Sequence, residues 1–164
     1  MESVKASSKA RSIGVSNYLP THLASTLAVA STPPSINQIE FHPYLQHRDL
    51  LTFQKNPDTN YNIAVAAYGP LTPVTKAKPG PCDEVFARLA KKYYVSEGEI
   101  ALRWCMDQGI VAVTTSSKEE RLSDYLRATT FSMTPREVEE VAEVGAGKHY
   151  RGFWNNKFEE GDRS

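Results

Sequence analysis

Residues 35–44 read SINQIEFHPY, and the fold turns on how that run is taken. Ile36, Ile39 and Phe41 suit an extended segment built for an interior. Gln38, Glu40 and His42, however, share one face of the same segment, because side chains along a strand alternate with period two. A polar row on a strand of this kind marks a surface that is enclosed and yet must form hydrogen bonds.

Three further apolar runs resemble it: residues 12–15, 63–68 and 110–113. Each is rich in Ile, Val, Ala or aromatics, and the four end in "SN", "HPY", "GP" and "TTSS". Helical patterns alternate with these strands. The spacing of Leu23, Leu27 and Ala30 predicts a helix over 20–30, and a shorter one is expected over 48–54. Two helices are expected between the third and fourth strands. The first, over 83–93, aligns Val85, Phe86, Leu89 and Ala90, and the second, over 97–106, opens on the capping box Ser96 to Glu99. A helix over 118–126 follows the fourth strand. The last helix is opened by Thr134, with Pro135 at its first position and Glu137 closing the box. Strand then helix, four times over, implies parallel pairing with right-handed crossovers and hence an α/β class. The proline-rich segment 70–81 is the one long loop, and the tail from 145 to 164 carries aromatics without period, as an irregular arm packed over something would.

The chain has 164 residues, the size of one ordinary domain, with 40% hydrophobic and 23% charged side chains, a composition expected of a soluble globular protein. Its 19 basic and 19 acidic residues cancel, which gives no reason to expect a nucleic-acid or polyanion partner. No apolar run approaches the roughly 18 residues of a membrane span. Cys82 and Cys105 lack metal-ligand spacing and read as free thiols of a reducing compartment, and the polar start MESVKASSKARS has no apolar core of a leader, so a cytoplasmic location is the expectation.

In parallel α/β architectures ligands bind at the carboxyl ends of the strands. Here those ends carry Ser16 and Asn17, Gln38 with His42, Tyr68, and the run 114–118. The run TTSSKEER, residues 114–121, brings hydroxyls and a helix start beside Lys118 and Arg121, a combination able to hold an anion such as phosphate. The same residues also read as a simple helix cap, Ser116 or Ser117, on a solvated face. Ser16 and Asn17 taken alone are ordinary turn residues, His42 before Pro43 suits a structural turn, Glu40 suits a buried carboxylate with a fixed partner, and Tyr68 suits a packed aromatic.

Taken together, RSIGVSN, NQIEFHPYLQ, IAVAAYGPL and SSKEERLSDYL, in this order and spacing, closely resemble the second half of the aldo-keto reductases, NADPH-dependent carbonyl reductases built on a (β/α)8 barrel. The tail HYRGFWNN is similar to fungal members. The resemblance runs from about Lys9 onward. It implies that this chain is a single partial domain, strands five to eight of a barrel. It further implies that Ser16, Asn17 and Gln38 hydrogen-bond the nicotinamide carboxamide, that Tyr68 stacks on the ring, and that Ser116, Lys118 and Arg121 grip the adenosine 2′-phosphate, with Asp124 near the adenine. Two positions depart from the family pattern: Thr115 where many members have lysine, and Asp124–Tyr125 where many have Glu-Asn.

The family's catalytic Tyr, Lys, Asp and His lie on the first four strands, and no stretch here matches them, so no catalytic residue is expected in this chain. Tyr68 fills the stacking position and does not take the acid's place. Two readings stand. In one, the chain is the cofactor-binding half of a reductase acting on an aldehyde or ketone. In the other, it is a non-catalytic half-barrel, either a binding or interaction module or a truncated gene product. Both predict open sheet edges that invite self-association or a partner chain. Phe153 and Trp154 either line a substrate site or seal the barrel.

Overall fold

A computed structural model describes residues 1–55 and 62–158. Its centre is a four-stranded parallel sheet in the order β1 (Val15–Ser16), β2 (Ile36–Glu40), β3 (Ala64–Tyr68), β4 (Val111–Ala112). Register is continuous across it: Ser16 pairs with Gln38, Gln38 with Ala66, and Ala66 with Val111, while Glu40 pairs with Tyr68. Residues in register share a face, so Ser16, Gln38, Ala66, Val111, Glu40 and Tyr68 all lie on one side of the sheet. The opposite side carries Ile39, Val65 and Ala67, which join the apolar core beneath the helices. This division accounts for SINQIEFHPY: the polar row faces away from the helices, and Phe41 on the other side stacks on buried Trp104, with centroids 5.2 Å apart and planes at 12°.

The helices are α1 (Glu2–Ala6), α2 (Pro20–Leu27), α3 (Arg48–Gln54), α4 (Asp83–Tyr93), α5 (Glu97–Asp107), α6 (Glu119–Arg127) and α7 (Pro135–Ala146). In α4, Val85, Phe86, Leu89 and Ala90 form one buried face, with Asp83 and Glu84 in the first turn and Lys91 and Lys92 in the last, a charge order that suits the helix dipole. Both predicted capping boxes form. Ser96 N–H donates to Glu99 Oε2 at 2.8 Å, and Thr134 N–H donates to Glu137 Oε2 at 2.9 Å. Trp104 of α5 donates its indole N–H to Val138 O at 3.0 Å, which ties α5 to α7. Cys82 and Cys105 are free and buried.

Several boundaries differ from those read in the sequence. The first strand is displaced from 12–15 to Val15–Ser16, because only these two residues meet β2 in ladder register. Gly14 lies so close to β2 that a Cβ there would be 2.5 Å from Ile36 Cγ2. The fourth strand shortens from 110–113 to its two paired residues. Helix α2 stops at Leu27 rather than 30, since Pro33 and Pro34 follow closely and Val29 is left exposed, with Leu23 the buried anchor. The loop over 70–81 contains a single 3₁₀ turn, Thr72–Val74. The arm begins after Ala146, since 145 and 146 complete α7, and its residues 159–164 lie outside the described residues. Among the described residues no helix is long and apolar enough to cross a membrane, and no group of His, Cys, Asp or Glu is placed to hold a metal ion.

Candidate functional site

The chain turns sharply after β1, and a residue on the helix side of β2 holds that turn. Asn37 is fully buried; its Nδ2 donates to Tyr18 O at 2.9 Å and its Oδ1 accepts from Tyr18 N–H at 3.3 Å. The turn places Asn17 in the left-handed region at φ 58°, a conformation Asn tolerates. Asn17 N–H and Ser16 Oγ–H both donate to Gln38 O at 2.9 Å, so Ser16 and Asn17 are fixed beside Gln38. From the next strand, Tyr68 donates its hydroxyl to Asn17 Oδ1 at 2.8 Å. Four of the residues singled out in the sequence, Ser16, Asn17, Gln38 and Tyr68, are thus gathered at the carboxyl end of three adjacent strands.

Their remaining hydrogen-bonding capacity is chemically mixed. Ser16 keeps lone pairs on its hydroxyl, Asn17 keeps its Nδ2 donors, and Gln38 presents a half-buried amide on the same face. Such a set can both donate to and accept from a planar amide, and Tyr68 supplies an aromatic surface next to it. Burial, reinforced by the nearby Glu40 carboxylate, raises the Tyr68 phenol above its ordinary value. A proton donor works best with a pKa near the operating pH, so this environment suits a platform better than a general acid.

Beyond this row lies a buried polar knot. Glu40 is 1% exposed and His42 fully buried. Tyr44 N–H donates to His42 Nδ1 at 3.2 Å, so the ring's proton is on Nε2, which donates to Glu40 Oε1 at 3.0 Å. Burial holds His42 below its usual value against the raising effect of Glu40, and burial brings His47 down to about 4, so both rings are neutral at pH 7. His47 Nε2–H in turn donates to Glu40 O at 2.7 Å. His42 is therefore the structural turn residue its neighbouring proline suggested.

The arm crosses this knot. Gly152 N–H donates to Glu40 Oε1 at 2.7 Å and Phe153 N–H to Glu40 Oε2 at 3.2 Å. The Phe153 ring meets Tyr68 at 89° with centroids 5.6 Å apart, and Lys76 Nζ sits 3.5 Å from its centroid on the other segment of the site, the loop over 70–81. Gly69, at φ 66°, makes room: a Cβ there would lie 2.9 Å from Phe153 Cε2. Sequence reasoning identified Glu40 as a buried carboxylate but not its long-range partners, and it missed Asn37. The available signal was a polar residue on the apolar face of β2.

The run after β4 is laid out differently. Ser116 Oγ accepts from Lys118 N–H at 3.0 Å, the turn bond expected of a helix start. Lys118 and Arg121 are exposed, and Asp124 forms an ion pair with Arg127 at 3.0 Å. Arg127 also reaches fully buried Glu99, which fastens α6 to α5. A separate cavity of about 460 Å³, lined by residues including Pro43, Leu45, Arg48 and Lys148, contains none of the row residues.

Comparison with known proteins bears on the family and the fold. The family model described as "Aldo/keto reductase family" matches residues 1–146. The chain is 37% identical over 163 residues to the NADPH-dependent alpha-keto amide reductase of Saccharomyces cerevisiae, covering 96% of this chain and 52% of that protein. It is 34% identical over 155 residues to the NAD/NADP-dependent indole-3-acetaldehyde reductase of Schizosaccharomyces pombe, covering 93% and 53%. Among solved structures it superposes on an aldo-keto reductase from a Medee basin deep-sea metagenome library with a TM-score of 0.83 at 29% identity, covering 96% of this chain and 56% of that one. A Bombyx mori aldo-keto reductase solved in complex with NADP gives 0.79 at 29%, covering 88% and 48%. The chain spans about half the length of the curated relatives it matches. Four parallel strands in register, the same α/β architecture as these barrels and a family match over most of its length place this chain in the aldo/keto reductase family.

Proposed function

We propose that this chain is the cofactor-binding half of an NADP-dependent oxidoreductase that reduces a small aldehyde or ketone to an alcohol in the cytoplasm. The observation that carries the reading is the row Ser16–Gln38 with Asn17 and Tyr68, a donor-and-acceptor set beside an aromatic ring at the carboxyl end of a parallel sheet. NADPH, when bound, supplies the hydride for carbonyl reduction. Ser16, Asn17 and Gln38 bind and orient the carboxamide, and Tyr68 supports the ring, so that one face of the nicotinamide is presented. Ser116, Lys118 and Arg121 provide a hydroxyl and two cations for the 2′-phosphate, with Asp124 toward the adenine. No proton-donating residue is assigned to this chain.

A fluorescence titration tests the reading. The chain is expected to bind NADPH saturably and more tightly than NADH, with Tyr68→Ala weakening both and Lys118→Ala with Arg121→Ala erasing the preference. Absence of saturable binding by either nucleotide overturns it.

As half of a reductase or, on the second reading, as a non-catalytic half-barrel module, the chain has a sheet with open edges. Within the described sheet β1 and β4 each have a neighbour on one side only, and Val111 and Val113 beside that edge are 54% and 41% exposed. Unpaired edges with exposed apolar residues template pairing with another chain, so self-association or a partner chain is proposed. Sedimentation velocity decides: a cleanly monomeric species across the micromolar range argues against it.

A further inference from the structure

The feature left unexplained by cofactor binding is Glu40. A carboxylate at 1% exposure is costly to bury unless hydrogen bonds replace its water. His42, two residues further along the chain and just past the end of β2, supplies one bond. The other two come from backbone N–H groups 112 and 113 residues further along the chain, Gly152 and Phe153. Those two amides belong to an arm whose described residues form no helix or strand, so they have no ladder of their own to satisfy them. A charged acceptor makes stronger bonds than a neutral one, and this acceptor cannot move, because His42 and His47 both hold it or its backbone.

We infer that Glu40 is a positioning residue: it latches the carboxyl-terminal arm across the end of the sheet and thereby sets Phe153 against Tyr68 as a fixed wall of the nicotinamide platform. The inference rests on the cofactor reading above for the platform, while the latch itself stands on the three hydrogen bonds. Lys76 also meets Phe153, its ammonium lying over the ring from the flanking loop. Gly152 is part of the device, since a Cβ there would be 3.1 Å from Glu40 Oε1. The wall reaches the platform from a segment remote in sequence, so it bounds the space open to a carbonyl substrate next to the ring.

Two substitutions separate the latch from general stability. In Glu40→Gln one oxygen still accepts from His42 and Gly152, but the amide nitrogen faces the Phe153 N–H, donor against donor. Gly152→Val leaves the Glu40–His42 pair untouched and wedges the arm away from it. Hydrogen exchange of the Phe153 amide, read by NMR on the full chain, is expected to accelerate by roughly tenfold or more in both variants, the loss of a bond to a charged acceptor. The Trp104 indole N–H, deep in the core, is expected to keep its protection in Gly152→Val. NADPH titration of the same samples is expected to show affinity weakened by about threefold or more, the scale of one aromatic contact. Unchanged Phe153 exchange in both variants overturns the latch. Accelerated exchange with unaltered or tighter NADPH binding overturns the positioning role. If the unsubstituted chain binds no NADPH, the cofactor reading fails, and the exchange data still decide whether the latch exists.

Discussion

Replacing Asn37 with Ala is expected to loosen the turn that carries Ser16 and Asn17, and the structure sets the size of the effect. Asn37 is fully buried and spends both ends of its amide on the backbone of Tyr18. The two bonds are unequal: Nδ2–H to Tyr18 O is 2.9 Å, near the optimum, whereas Tyr18 N–H to Oδ1 is 3.3 Å, at the weak end of the range. Ala removes both, leaving a partly buried carbonyl and N–H to find other partners at about 1–3 kcal/mol for the stronger bond and less for the weaker, so a total near 3 kcal/mol is expected. Asn37→Asp keeps only the weaker bond and places a carboxylate where no solvent reaches, so it should cost more than Ala despite its closer shape. Urea denaturation followed by Trp104 fluorescence gives the stability change. NADPH titration of the folded fraction should show a weaker complex, because Asn17 at φ 58° no longer has its turn enforced. An Ala variant within about 0.5 kcal/mol of the parent, or an Asp variant more stable than Ala, would refute the reasoning.

Two further outcomes follow from other parts of the fold. A Cβ on Gly145 would lie 2.5 Å from Pro43 O, a backbone atom with little room to yield, so Gly145→Ala should cost about 1–3 kcal/mol in urea denaturation through overpacking of α7 on the 42–45 turn; a neutral result would mean that α7 lifts off freely. Burial favours the protonated form of Glu137, but donors from Lys92, Tyr93 and Thr134 outweigh it and bring the carboxyl from 4.5 down to about 2. A folded-state value below the unfolded one stabilises above about pH 4.5, and the contribution drains away as pH falls toward 2. With screening around half-exposed Lys92 allowed for, Glu137→Gln should cost about 2 kcal/mol at pH 7 and progressively less below pH 4.5; a cost independent of pH would assign the effect to cap shape instead of charge.

Much of the architecture was legible because its signals are local. Ser96 with Glu99, and Thr134 with Pro135 and Glu137, fix helix starts through atoms three residues apart, and those starts appear where the spacing puts them. Strand ends were less legible, because an extended residue joins a ladder only where its neighbour strand is present: Ile13 O accepts from Ser35 N–H but Ile13 is not in the two-residue ladder of β1. Helix α1 and the turn Thr72–Val74 are too short to carry a period. In the site, Ser16, Asn17, Gln38 and Tyr68 could be placed together because all four sit at strand ends of one sheet. The Glu40 partners could not be read, since the arm has no periodicity and its bonds span more than a hundred residues. Asn37 was readable in principle as a polar group on a face otherwise apolar, a position that demands a partner.

The two cysteines carry a consequence for how this chain can be watched. Cys105 lies wholly inside the core and burial alone drives its thiol upward, while burial raises Cys82, whose thiol faces Val141 O, to about 11. Neither forms appreciable thiolate at neutral pH, so an alkylating reagent must wait for the protein to open before it can react. The chain therefore carries two built-in clocks at different addresses. Cys82 lies near the loop and arm that border the sheet's carboxyl end, and Cys105 in the helix behind it. Their labelling rates, compared, would tell whether that end breathes on its own or only when the whole core gives way.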